Sequence, residues 1–570
     1  MIRVKRASRS AVALLVLGAC SRGEQPSSRP GATPADGDAV VVRISYGSEK
    51  KAFLTDSIEA FHRSHPKSSS GKPIRIEAVA EGSAESMETI LAGRTDISVW
   101  SPASSLLVDV LNDRWQEGKS GLGAGKKLVG EAPPLVLSPV VIAMWEPMAK
   151  ALGWPEKSIG WADVGRFAAD AEGWARYDRP QWGSFKFGHT HPHYSNSGAI
   201  ALVAATYAGA QKARDLQVED IDRAAAFVKR VQSSVVHYGR STGFFAEKMF
   251  TRGPAYLSAA VLYENLVVES SMAPQYKDKP FPVVAIYPKE GTFWSDHPYA
   301  ILDLPTVTPE IRAAAEAFRA FLLSPERQKA ALQRFGFRPA DPAIPLATPL
   351  DAAHGIDPAQ PQNVLPNPKV AVTRRILDTF EQVKRPVSIT FVVDTSGSMN
   401  GAPLEQAKQG ARVFLEGLPS GDVARVLFFS SAPKWHGERP QQLASARPAL
   451  IAAVEACFAE GGTALYDAVR EAVRPSPDEP RGAARAIIVL SDGEDTDSKA
   501  KLPDLLQALQ QLHGGEGAGS RSPPRVFTIA YGEKSDPKVL QQIAEAGGGA
   551  FFSGTPRDIK AVYADLATFF

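Results

Sequence analysis

The sequence predicts an α/β protein of two modules, each built around a mostly parallel sheet with helices on its faces. Three observations carry that reading. Short apolar strands alternate with helical spacings from Val40 onward, the pattern of βαβ units. A proline-rich stretch near residues 341–370 separates two such series. Strand after strand also ends in a Gly, Ser or Asp loop that opens a helix, where open α/β sheets hold their ligands.

The chain has 570 residues, enough for several cores. A net charge of +2, with no Lys/Arg block beyond the extreme N-terminus, offers no footprint for nucleic acid. Cys20 and Cys457 are the only cysteines, too few for a disulfide framework. Past the N-terminus there is no run of the ~20 apolar residues that would span a bilayer.

Arg3, Lys5, Arg6 and Arg9 precede the apolar run Ala11–Ala19, which has the shape of a secretory signal. Leu17-Gly18-Ala19-Cys20 resembles the lipobox of bacterial lipoproteins. The resemblance implies a signal peptide over 1–19, cleavage before Cys20 and diacylation of its sulfur. A plain secretory signal followed by a chance cysteine is the alternative. The anchored chain is expected in the cell envelope, on the extracytoplasmic side of a membrane. Ser21, in place of Asp, points to the outer membrane if the cell is Gram-negative. Residues 20–38 are rich in Pro, Ser and Gly and read as a flexible tether.

The first module is expected over residues 39–345. Val40–Ile44 and Ile74–Val79 read as strands, each followed by a Gly-Ser loop and a helix. The helix faces are Phe53, Leu54, Ile58 and Phe61, then Met87, Ile90 and Leu91. A third strand, Asp96–Trp100, ends at Ser101. A serine at such a place is either an N-cap or a solute contact; several along one sheet edge suggest a cleft. Residues 40–345 resemble a bacterial extracellular solute-binding protein of the type II class. The resemblance rests on the motifs above together with Ser138–Ala143, Gly160–Asp163, Ser195–Gly198, Pro282–Pro288 and the helix pair Glu310–Phe335. It implies two α/β lobes, a hinge and a small solute between them. Candidate solute contacts are Ser48, Ser83, Ser101, Ser138 and Ser197, with Tyr263 and Glu264 beside them. His189, His191 and His193 alternate in an extended loop, which suits either a Zn²⁺ or Cu²⁺ site or a polar cleft lining.

Residues 346–371 read as a semi-extended proline-rich linker. The second module is expected over 372–570. It opens on a helix through Val372, Ile376, Leu377 and Phe380, expected to pack on that module. Ile389–Val393 is then a buried strand ending in Asp394-Thr395-Ser396-Gly397-Ser398. This turn admits two readings, a divalent-cation site built of hard oxygens or a helix cap. A helix over Leu404–Leu418 and a strand over Val423–Phe429 follow. Cys457 falls on the apolar side of a helix over Leu443–Phe458 and reads as a small core residue. Gly461-Gly462-Thr463 opens another helix, and the apolar strand Ala486–Leu490 delivers Ser491-Asp492-Gly493 at its end. Arg525–Gly532 repeats the strand pattern, and helices around 540–546 and 559–569 close the chain.

Asp394, Ser396, Ser398, Thr463 and Asp492 together resemble the metal-ion-dependent adhesion site of a von Willebrand factor A (VWA) domain. The full expectation is a two-lobed periplasmic-binding-protein-like domain followed by a doubly wound, Rossmann-like VWA domain. The resemblance implies a divalent cation, Mg²⁺, held by those five residues, with one position open to an acidic side chain of a protein partner. Glu494, Asp495 and Asp497 stand outside the motif and read as a solvated loop. No general base or nucleophile arrangement accompanies the site and no P-loop appears, so the chain reads as a binding protein rather than an enzyme. The leading expectation is metal-dependent protein binding joined to a solute-binding module. The alternative is a transport receptor that delivers solute to a membrane permease and uses the VWA domain for docking.

Overall fold

The computed structural model describes residues 39–118, 125–170, 172–480, 482–492, 494–514, 523–531, 537–553 and 566. The expected signal peptide, the acylated Cys20 and the tether to residue 38 lie outside the described residues. So does the expected last helix, apart from Leu566.

The strands of the first module are β1 (Val40–Gly47), β2 (Ile74–Glu81), β3 (Val99–Ser101), β4 (Val136–Trp145), β5 (Phe187–Thr190) and β6 (Val235–Gly239). They continue with β7 (Ala259–Tyr263), β8 (Val283–Ile286), β9 (Trp294–Ser295), β10 (Ala300–Ile301) and β11 (Arg338–Pro339). Two sheets result. The first lobe has the order β10-β3-β1-β2; the second has β11-β4-β7-β5-β6, with β8 and β9 also pairing with β4. β1 lies parallel to β2 and β3, and β5 parallel to β6 and β7, as the alternation of strands and helices requires. β4 joins the lobes. Its Val136 end is buried in the first lobe's core with Phe53, Trp100 and Phe318, while Val140–Trp145 lie in the second lobe's core with Trp161, Phe187 and Leu202. The closing helices Pro309–Leu322 and Pro325–Phe335 start where the sequence says they should. Thr308 and Ser324 accept hydrogen bonds from the N–H groups of Ile311 and Arg327, and proline occupies the first turn.

The joint departs from its expected form. Residues 346–366 do not hang free but lie along the second lobe. Leu350, Ile356 and Leu365 are buried in that lobe's core. The Ala285 N–H donates to the Gly355 carbonyl at 2.9 Å, and the Leu365 N–H to the Thr292 carbonyl at 2.8 Å. The helix Val370–Asp378 was expected to pack on the second module. It instead buries Val372, Ile376 and Leu377 in the first module's core, and Phe380 and Val383 follow them there. An apolar stripe at helical spacing says that a face is buried but not against what. Here the strapped joint delivers that face to the first module.

The second module holds β12 (Val387–Asp394), β13 (Val423–Phe429), β14 (Pro433–Gln442), β15 (Ala484–Ser491), β16 (Arg525–Ala530) and β17 (Gly548–Ser553). They form one sheet in the order β14-β13-β12-β15-β16-β17. All neighbours are parallel except β13 and β14. Alternation along β12 sends Ile389, Phe391 and Val393 into one core and Val392 into the other, so helices cover both faces. The edge strands β14 and β17 carry no apolar-run signal. One is rich in proline and charge and the other opens on two glycines, compositions that an edge tolerates.

The amino ends of these strands meet the second lobe. Arg525 opens β16, and its Nη1 donates to the Val236 carbonyl at 3.0 Å and faces His237 Nδ1 at 2.9 Å. Burial, and then Arg525, push the His237 pKa well below its usual value, so a neutral ring nitrogen accepts from the guanidinium. Lys384 Nζ donates to Asp422 Oδ2 at 3.1 Å, and Asp422 Oδ1 accepts from the Val387 N–H at 3.1 Å. The carboxyl ends of β12 and β15 lie at the opposite edge of the sheet.

Phe380→Ala should cost about 3–5 kcal/mol as a core cavity. In hydrogen exchange the loss of protection is expected in β5, β6 and the loop at His191. Deprotection confined to β12–β16 would show that the helix belongs to the second module.

Candidate metal centre and solute cleft

β12 and β15 are central neighbours, and their register sets Val393 opposite Leu490. Asp394 therefore ends β12 beside Ser491, the last residue of β15, with Asp492 next in the chain. Numbered within their own module, the strands run third, second, first, fourth, fifth, sixth across the sheet, so the order reverses between β12 and β15. Open α/β sheets form their ligand crevice at the carboxyl ends on either side of such a reversal.

Asp394 is fully buried. Its Oδ1 accepts from the Ser396 N–H at 2.8 Å and its Oδ2 from the Ser491 hydroxyl at 2.5 Å. The Ser396 and Ser398 hydroxyls are 3.0 Å apart; Ser396 is buried and Ser398 faces solvent. Main-chain bonds draw the Thr463 loop to the same edge. The Gly397 N–H donates to Gly461 O at 2.9 Å and the Glu460 N–H to Thr395 O at 2.7 Å. The third loop is laced to the second: Thr496 and Asp497 donate to Thr463 O at 2.9 and 3.0 Å, and the Thr463 N–H donates to Thr496 Oγ1 at 2.9 Å. The approach is close: a Cβ at Gly462 would meet Asp497 Oδ2 at 2.2 Å and displace that exposed carboxylate. All five residues singled out from the sequence thus lie on three interlocked loops, but only two of these follow strands; Thr463, expected at a strand end, stands instead between the helices Leu443–Ala456 and Leu465–Ala472.

Asp492 is buried, and its Oδ1 has no hydrogen-bond partner among the described residues. Burial pushes Asp394 up to about 6, against the hydrogen bonds from Ser396 and Ser491, and Asp492 adds repulsion. Two hard carboxylates and three hydroxyls, with one carboxylate oxygen orphaned, suit a small divalent cation, whose charge would relieve the repulsion. No group of three or more His, Cys, Asp or Glu suited to a metal occurs among the described residues, so a centre here would need hydroxyls beside its two carboxylates.

Two features are additions to the sequence reading. Ser491 is a direct partner of Asp394, and its signal was its place immediately before Asp492 at a strand end. The acidic loop is more than solvated. Asp495 Oδ1 accepts from the Leu465 N–H at 2.9 Å and caps the helix Leu465–Ala472, while Asp467 accepts from Lys499 and Ala500 at 2.8 and 3.1 Å. Glu494 and Asp497 are exposed. Cys457 is half-buried against the core, as a small apolar residue would be.

In the first module Ser48 faces the other lobe, with its hydroxyl against that of Ser241 and accepting from the Gly243 N–H at 2.9 Å. Ser197 lies 2.8 Å from both Thr190 and Thr242, and the Tyr263 hydroxyl accepts from Asn196 Nδ2 at 2.9 Å. Ser83 accepts from the Ala103 N–H at 3.1 Å, and the Ser101 hydroxyl is buried without a hydrogen-bond partner among the described residues. Two candidates are engaged elsewhere. Ser138 bonds Asn265 twice, and Glu264 is buried against Arg338 at 2.7–2.8 Å and Tyr287 at 2.5 Å. Ser241, Thr242 and Asn196 join the cleft without having been singled out, although Ser241-Thr242-Gly243 has the same strand–loop–helix form as Ser48 and Ser83. Lys50 is the buried cation here. Burial alone would raise Glu49, but Lys50 at 2.6 Å and His297 at 3.3 Å outweigh it and hold it at about 2. The three alternating histidines do not converge on one point: His189 faces Thr190 O and Gln232 Oε1, while the rings of His191 and His193, 5.5 Å apart, pack together on Phe380.

Fold and site together define an α/β binding protein with a two-lobed module followed by a doubly wound one. The chain belongs to the family described as bacterial extracellular solute-binding protein, whose profile matches residues 42–338, and a von Willebrand factor type A domain matches 387–551. The family name carries an extracytoplasmic setting and a small-solute ligand for the first module. Among described residues no helix is long and apolar enough to cross a membrane. Protein sll0103 of Synechocystis sp. is 28% identical over 169 residues, 29% of this chain and 37% of that protein. Inter-alpha-trypsin inhibitor heavy chain H4 of Sus scrofa is 27% identical over 175 residues, 29% of this chain and 18% of that one. The chain therefore spans well under half the length of these relatives. Among solved structures, the periplasmic binding protein AfuA of Actinobacillus pleuropneumoniae aligns with 60% of this chain and 98% of its own, at 14% identity and a TM-score of 0.42. A von Willebrand factor type A protein from Catenulispora acidiphila aligns with 32% of this chain and 42% of its own, at 23% identity and a TM-score of 0.29.

Without a cation, folded Asp394 titrates near 6, above the range of an unfolded aspartate near 4. The folded state then holds the extra proton between those values, so stability falls as pH rises through them. Asp394→Asn should abolish that decline and add on the order of 2 kcal/mol at pH 7 in EDTA. Urea unfolding between pH 4 and 7 measures it, and a flat wild-type profile contradicts it.

Proposed function

We propose that this chain is a lipid-anchored, extracytoplasmic binding protein whose VWA module grips a protein partner through Mg²⁺, beside a module that holds a small solute. The observation that carries the metal reading is the buried Asp394–Asp492 pair, with its orphaned oxygen, among three hydroxyls at the reversal of strand order. Ser396 and Ser398 would ligate the ion directly. Asp394, Thr463 and Asp492 would hold it directly or through water. The ion supplies a positive, electrophilic point at the rim, and the exposed side of Ser398 is where a partner's carboxylate arrives. Few direct carboxylates leave the ion charge only partly neutralised, which favours an incoming anion. The amino edge of the sheet is the one that meets the second lobe, through Arg525, and the candidate centre stands at the opposite edge.

Calorimetric titration of the intact chain with MgCl₂ should show a single site. Asp394→Ala and Asp492→Ala should each abolish it, while Thr463→Ala should weaken it by about tenfold or more. Partner capture from the native envelope should then be lost in EDTA and in Asp394→Ala. Capture that survives both would refute the metal bridge, and titration with no heat in wild type would refute the centre itself.

A further inference from the structure

One helix touches both lobes of the first module, and it does so by two different chemistries. On the first lobe, Asp113 lies in the last turn of the helix Ser105–Gln116 and Glu117 directly follows it. Arg374, from the helix Val370–Asp378, pairs with both; its Nη1 is 2.7 Å from Asp113 Oδ2. On the second lobe, Val372, Ile376 and Leu377 enter the core. Phe380 is fully buried there among the rings of His191, His193 and Tyr238, at 4.8, 5.8 and 5.6 Å between centroids. The seam between the lobes is thus a built helix-binding site, acidic on one side and aromatic on the other.

The lobes also meet directly beside this helix. Ser104 Oγ donates to Asn196 Oδ1 at 2.8 Å, the Glu85 N–H donates to Tyr194 O at 2.9 Å, and Arg240 pairs with Glu85. Past Phe380 the chain runs through Lys384, paired with Asp422, straight into β12, the strand that carries Asp394.

We propose that the seam is a binding site for an amphipathic helix that presents an arginine to the first lobe, that its occupant is this chain's own segment 370–383, and that this segment clamps the lobes closed. The two attachments differ in strength. On the first lobe Arg374 is about one-third exposed, its ion pairs are screened by water, and the half-buried Val370 adds one apolar contact, whereas on the second lobe Val372, Ile376, Leu377, Phe380 and Val383 are all buried in the core. When the cleft opens to load or release solute, the first lobe lets go of Arg374. The helix and the VWA module stay with the second lobe. Cleft opening is in this way tied to the position of the VWA module relative to the first lobe. The inference stands on these contacts alone and is independent of the metal reading.

Spin-label distances in the full chain, with both native cysteines replaced by serine, test it. One label pair is Lys72→Cys with Lys229→Cys, across the lobes; the other is Lys229→Cys with Gln409→Cys, from the second lobe to the VWA module. Arg374→Glu is expected to lengthen the first distance or add a longer population, and to leave the second unchanged. Adding Asp113→Lys and Glu117→Lys to Arg374→Glu restores the opposite charges and should restore the short distance. An unchanged first distance in Arg374→Glu overturns the clamp. A shift of both distances together overturns the claim that the VWA module rides on the second lobe.

Discussion

Parallel pairing of β12 with β15 is the constraint on which the second module depends. It sets Val393 opposite Leu490, and the next residue of each strand is its last in a sheet that is covered on both faces. Those last residues are Asp394 on one strand and Ser491, followed by Asp492, on the other. A carboxylate at a buried strand end cannot be hydrated fully, so its pKa rises and its neighbours become hydrogen-bond donors. Ser396, Ser491 and the laced loops around Thr463 follow from that need. The same frustration makes the edge a place for a cation.

The first module meets the opposite problem. Its cleft residues are hydroxyls and helix amino ends, and its buried Lys50 is neutralised by Glu49. Among the described residues of the cleft, no uncompensated charge calls for an ion. The polar groups instead find one another across the lobes, which suits a polar solute that would exchange for those bonds. The joint then ties the two modules together. Its apolar residues are buried on the second lobe, and the VWA sheet docks on that lobe by Arg525 and leads out from it through Lys384.

Much of this was legible in the residues. Runs such as Ile389–Val393 and Ala486–Leu490 are too apolar to be anything but buried central strands, and Thr308-Pro309 and Ser324-Pro325 announce helix starts. The five residues of the candidate centre were readable because each follows a strand or turn signal in the chain itself. Other features left no such mark. Pro433–Gln442 pairs only because β13 offers an edge. Asp495 caps a helix that begins thirty positions earlier in the chain. Ser138 and Glu264 look available in the sequence, yet Asn265, Arg338 and Tyr287 already hold them.

By itself the sequence determined the central strands and most of the helices, that two α/β modules follow one another, and which carboxylates and hydroxyls stand in the turns that end them. These are local matters of periodicity, capping and turn chemistry. Only the tertiary structure decided which faces meet. It placed the helix Val370–Asp378 on the first module, laid the proline-rich joint along the second lobe, and left one carboxylate oxygen of Asp492 without a partner among the described residues. The physical reason is that an apolar stripe or a polar atom specifies the kind of neighbour it needs, while the identity of that neighbour depends on surfaces brought together from far along the chain.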